Sequence, residues 1–170
     1  MDADGTFAWA PGADVDDPTR SGKWMVFTSP EYHAEVWEKL KAATKAGELG
    51  TAAKTGGDDE RVRFALDLYA KRVASGEQPR MKAMDDLTKV YARIKTRALL
   101  TCVYTHDFED HDDVRRVLVA LRGLGFNGRL SYKRDLDTLQ GHYSDGVSIY
   151  VSQPGSLDFE DRRPELRGYE

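Results

Sequence analysis

The chain has 170 residues, 29 acids against 25 lysines and arginines, a formal net charge of −4 and one cysteine. That length suits one domain with a sizeable core, the charge argues against broad, sequence-independent binding to duplex nucleic acid, and a lone thiol excludes an internal disulfide. No apolar run approaches the length of a membrane span and the acidic start lacks the basic opening of a secretory signal, so a cytoplasmic protein with no membrane partner is expected.

Residues 1–20 are rich in Asp, Ala, Gly and Pro and lack periodicity, which predicts a flexible acidic arm from which Phe7 and Trp9 can dock on the body. Residues 21–153 are expected to form one globular domain with a helical insertion at 58–97, and 154–170 a charged tail. Residues 23–28 alternate as a strand, with Lys23, Met25 and Phe27 on one face and Trp24, Val26 and Thr28 on the other. Ser29 and Pro30 then open a helix as N-cap and first helical residue. Tyr32, Val36, Leu40 and Ala43 form its apolar stripe, with Trp37 beside it, and Gly47 stops it.

Residues 49–55 predict a short strand with Lys54 near its end. Val62, Leu66, Tyr69 and Val73, followed by Met84, Leu87, Tyr91 and Ile94, recur at helical spacing and predict a helical hairpin against the sheet. Residues 99–105 are the candidate central strand, with Cys102 a buried, inert thiol inside it and Tyr104 a core residue. Residues 112–124 read as a helix with Val114, Val117, Leu118 and Leu121 inward and Gly123 and Gly125 at its end. Residues 129–133 alternate, placing Arg129, Ser131 and Lys133 on one side, and 147–151 supply a last strand.

Two clusters carry candidate chemistry. The run from His106 to Asp113 holds metal-ligand side chains, but acids placed before Val114 serve the N-terminus of the next helix, and neither an EF-hand, an HExxH nor a CxxC pattern occurs. No metal and no cofactor are therefore expected. The cations Lys23, Lys54, Arg129, Lys133 and Arg134 lie near strand ends, where a sheet gathers side chains around one phosphate or carboxylate. His142 and Tyr143, in the turn at Gly141 beyond Thr138, are positioned to donate protons to a leaving group.

The ordered series Gly22-Lys-Trp-Met-Val-Phe, Trp37, Gly47-Glu-Leu-Gly, Ala53-Lys54, Cys102-Val-Tyr-Thr-His-Asp, Val114-Arg-Arg-Val-Leu, Tyr132-Lys-Arg-Asp, Thr138 and Gly141-His-Tyr resembles the basophilic-leukaemia-expressed-protein family over residues 22 to about 150. Bacterial members of that group carry phosphothreonine lyase labels. The resemblance implies a fold like that of the cap-binding translation initiation factor: α+β, with a curved, mostly antiparallel sheet and helices packed on one face. The stretch 58–97 is an addition to the pattern.

More remotely, the motif order is similar to phosphothreonine lyases and the lyase domains of lanthipeptide synthetases. That likeness places a Lys-x-His motif on Lys23-Trp24-Met25, with Met25 where the histidine stands, and the base lysine on Lys54. It implies Lys54 and Lys23 as catalytic residues and Arg129, Lys133 and Arg134 as phosphate-binding residues, with a phosphorylated protein or peptide as partner; with Met25 at the histidine position, the chemistry itself adds His142 as a catalytic acid and Tyr143 as a substrate-binding residue. Phosphate elimination needs a base for the α-proton and cations for the enolate and the leaving phosphate, but no metal. The alternatives are a non-catalytic module binding a nucleotide, RNA end or phosphopeptide over an aromatic platform such as Tyr104, Tyr132 or Tyr143, and a protein-interaction domain using the 58–97 helices.

Overall fold

A computed structural model describes residues 6–14, 17–56, 74–76, 98–140 and 148–163. Most of the helical insertion expected at 58–97, together with His142 and Tyr143, lies outside the described residues. The described elements run β1 (Phe7–Trp9), β2 (Gly22–Thr28), α1 (Pro30–Lys45), β3 (Ala52–Thr55), β4 (Leu99–Thr105), α2 (His111–Gly123), β5 (Leu130–Arg134), α3 (Asp135–Leu139), β6 (Tyr150–Ser152) and β7 (Glu160–Asp161). These strands form one curved sheet in the order β1-β3-β4-β2-β5-β6-β7, with every neighbouring pair antiparallel. Helices α1 and α2 pack on one face of it, an α+β arrangement. Among the described residues no helix is long and apolar enough to cross a membrane.

The two-residue period of β2 sorts the molecule. Trp24 and Val26 face the helices, and register places Trp24 opposite Val103 on β4 and Tyr132 on β5, so all three enter the same core. Trp24 donates its indole N–H to the Val114 carbonyl at 3.0 Å and meets the Tyr132 ring edge-on at 5.3 Å. The helix α2 that receives this bond begins at Asp110, whose carboxylate accepts the Asp113 N–H at 3.1 Å. It ends where Gly125, at φ 100°, lets Gly125 N–H and Phe126 N–H reach the Arg122 and Leu121 carbonyls.

Several elements depart from the sequence expectation. Phe7–Trp9, inside the expected flexible arm, is an edge strand paired with β3, because Ala8 and Ala53 share a small buried cluster with Trp37. Residues 160–161, inside the expected tail, form β7 against β6. Tyr32 is exposed rather than inward; the first-turn residue that faces the sheet is His33, whose ring lies between Thr28 Oγ1 (3.1 Å) and Thr55 Oγ1 (2.6 Å). A polar residue at an inward position rotated the apparent stripe. Tyr104, expected in the core, pairs with Lys23 and so lies on the sheet face away from the helices.

Gly50 marks the tightest backbone approach. A Cβ there would lie 1.8 Å from the Tyr104 carbonyl oxygen, which is backbone and cannot swing aside. Gly50→Ala is expected to cost at least about 2 kcal/mol in denaturant unfolding, whereas Gly123→Ala, facing open space, stays within about 0.5 kcal/mol of wild type or is more stable.

Candidate anion-binding site

The odd-numbered positions of β2 face away from α1 and α2, and register aligns their neighbours into two rows. One row runs Trp9, Ala52, Tyr104, Lys23, Lys133 across β1, β3, β4, β2 and β5. The next runs Phe7, Lys54, Cys102, Met25, Ser131. Three lysines from three strands therefore project from the same face, and two of them, Lys23 and Lys133, are direct cross-strand partners with Cα atoms ~5 Å apart.

Both members of that pair are 8% exposed. Lys23 donates to Asp135 Oδ1 at 2.5 Å and to Thr138 Oγ1 at 3.3 Å, and its ammonium sits 5.4 Å from the Tyr104 ring centroid. Asp135 is placed by backbone as well as side chain, since its N–H bonds the Ser21 carbonyl and its other oxygen accepts the Ser21 hydroxyl at 2.6 Å. Lys54 Nζ lies 5.3 Å from the Phe7 ring centroid.

Burial, followed by the nearby Lys23 charge, lowers the pKa of Lys133, while Asp137 and Asp135 oppose the shift. Burial pushes the Cys102 thiol up to about 11, against the pull of Lys23 and Lys54. Cys102 thus stays a thiol at neutral pH, as its position in an apolar strand implied.

The residues singled out from the sequence divide by strand parity. Lys23, Lys54 and Lys133 share the face. Arg134, one residue beyond Lys133, turns to the helix side, where it makes a two-pronged pair with Asp137 (2.9 and 3.0 Å) and lies over Phe108 at 5.6 Å. It does not join the lysines. Arg129 precedes β5 and is exposed, about 13 Å along the strand from Lys133, where its charge lies near Glu160.

His142 and Tyr143 lie outside the described residues. The described histidines sit elsewhere: His33 under α1, His106 near Asp113, and His111 against Tyr150. Asp135 was missed as a site residue, and Tyr104, read as core, entered only as a platform for the binding alternative, although position marks both. Asp135 stands two residues past Lys133, and Tyr104 two past Cys102.

The family model of basophilic leukemia-expressed protein Bles03 matches residues 16–64 and 84–139, more than half of the chain. The chain belongs to this family. No curated protein gives a significant match. The Bles03 match includes Lys23, Lys54, Arg129, Lys133, Arg134 and Thr138 and stops before His142 and Tyr143. Its interruption at 65–83 falls inside the stretch that the sequence marked as an addition.

The Lys133 environment has a thermodynamic signature. Because its folded pKa lies below the ordinary lysine value of 10.5, the unfolded chain binds more protons between those two values, and the wild type gains stability as pH rises through that window. Below the folded value the penalty is fully present. Relative to Lys133→Met, wild-type unfolding free energy is expected to increase between pH 7 and pH 10.5; a flat difference across that range in parallel urea titrations contradicts a desolvated ammonium.

Proposed function

We propose that this Bles03-family chain binds phosphate monoesters on the sheet face opposite α1 and α2, with the phosphothreonine or phosphoserine of a peptide as ligand. The observation that carries the reading is the Lys23–Lys133 pair, two neighbouring amino groups removed from bulk water in direct cross-strand register. Like charges placed opposite one another destabilise a sheet, and a bound dianion reverses the sign of that interaction. Lys23 has three N–H donors, of which Asp135 and Thr138 take two, leaving one for a phosphate oxygen. Lys54, on the same face, adds a third positive group.

A second reading, elimination of the phosphate, is favoured by Lys54 sharing a face with Lys23, the two positions that the lyase resemblance assigns. In that reaction a base removes the α-proton, the Cα–H electrons form a Cα=Cβ bond, and the Cβ–O electrons leave with phosphate. None of the described histidines reaches this face, so the phosphate departs as a dianion held by ammonium groups, or with a proton from His142.

Calorimetric titration with matched phosphorylated and unphosphorylated threonine peptides tests binding. Saturable binding of the phosphorylated form alone is expected, weakened at least about tenfold by Lys23→Ala with Lys133→Ala, and weakened by salt. Equal affinity for both peptides removes the reading, and preference for a nucleotide or cap analogue over the phosphopeptide redirects it to nucleotide recognition. Mass spectrometry of the same mixtures decides turnover: loss of phosphoric acid that disappears in Lys54→Ala supports elimination, and unchanged peptide leaves a binding module.

A further inference from the structure

We propose that the exposed ring of Trp9 is a second contact for the phosphopeptide, taking an aromatic or large aliphatic side chain about five residues from the phosphorylated one. The inference rests on the anion-binding reading for the phosphate end and deepens it by naming the sequence class of the ligand.

Register puts Trp9 in the row that holds the lysine pair. Trp9 pairs with Ala52, Ala52 with Tyr104, Tyr104 with Lys23 and Lys23 with Lys133, so all five side chains leave the sheet face opposite α1 and α2. β1 is an edge of the sheet, and Trp9 there is 43% exposed, whereas Ala8, of opposite parity, is buried with Ala53 and Trp37. Phe7 lies against the Trp9 ring at 5.9 Å, with 10° between the planes. A stacked ring is held in one orientation before a ligand arrives, which lowers the ordering cost of binding. Tryptophan is also among the residues that contribute most where a side chain is buried at an interface.

The separation chooses the ligand. Neighbouring strands lie about 4.8 Å apart, which puts Trp9 roughly 14 Å from Lys23 and roughly 19 Å from Lys133 between Cα atoms. An extended chain advances about 3.3 Å per residue, so roughly four to six residues connect a phosphate on the lysine pair with a side chain on Trp9. A nucleoside monophosphate is shorter than this span and cannot fill both ends, whereas a peptide lying across the strands does. The two ends differ in chemistry as well: the lysines take a dianion, and the indole face takes apolar or aromatic surface. Phe27, also exposed on this face, stands further along β2 from Lys23 and outside the row, which makes it the internal comparison.

The test is calorimetry on the full chain with phosphothreonine peptides in which one leucine or tryptophan is moved through every position on each side of an otherwise alanine-rich sequence. An apolar residue roughly four to six positions away on one side is expected to tighten binding at least about fivefold. Trp9→Ala is expected to cut that gain to about twofold or less, while Phe27→Ala leaves it intact and Trp9→Phe keeps most of it. A benzophenone placed at the selected position reads the same contact in the wild-type chain, whatever the stability of the variants, and is expected to crosslink to residues 7–9. No positional preference, one that survives Trp9→Ala, one confined to the residues beside the phosphothreonine, or a crosslink elsewhere overturns the proposal, as does tighter Trp9-dependent binding of a cap analogue. Phosphate-dependent binding without the apolar preference sinks the Trp9 contact alone, whereas equal affinity for phosphorylated and unphosphorylated peptides sinks the anion site on which it rests.

Discussion

The register of β2 is the constraint on which the rest depends. β2 has a partner on each side, so the side of the sheet taken by each of its residues also assigns the sides of β4 and β5. Trp24 holds that register because its ring is fully buried and its N–H has one specific acceptor, the Val114 carbonyl on α2. A slip of one residue would send Lys23 and Met25 into the helix-packed core and expel Trp24 and Val26, costing far more than any pairing on the far face returns. The apolar side thereby dictates where the lysines stand. The cation cluster is a consequence of burying a tryptophan.

That cluster opposes folding, and its neighbours temper it. Asp135 bonds Lys23, and the rings of Tyr104 and Phe7 lie beside Lys23 and Lys54. Arg122 shows what a purely structural cation in this fold looks like. It is buried and directs its donors at the carbonyls of Phe126, Gly128, Gln153 and Ser156 and the hydroxyl of Ser152, so it pins two loop segments without any carboxylate. Arg134 is equally committed, to Asp137. Lys23 and Lys133 differ in that they also face one another directly across neighbouring strands.

Much of this was legible in the sequence where one short-range rule decides the outcome. Alternation in β2 and β5 correctly put Lys23 and Lys133 on faces of defined parity, and helical spacing found the inward residues of α2. What the pattern hid was relational. Whether Arg134 joins Lys133 depends on strand parity, and adjacency in sequence sends the two side chains to opposite faces. The edge strand at Phe7–Trp9 is three residues long, too short for any period to show, and exists because β3 offers an unpaired edge beside Trp37. His33 obscured the inward face of α1 because its polar ring is satisfied by Thr28 and Thr55, partners that only the folded chain brings near. Asp135 escaped notice for the same reason, as a helix-opening acid whose cation is over a hundred positions upstream.

Under the proposed reading, an anion bound on this face couples to the charge carried by Lys133. A dianion beside Lys133 favours the ammonium and so opposes the downward shift that burial and Lys23 impose on it. Lys54 stands in the second row, in line with Cys102 and Met25, while Lys133 ends the first row beyond Lys23. Under that reading, the span from Lys54 to Lys133 distinguishes ligands by how far apart their anionic groups stand, a selection that charge alone cannot make.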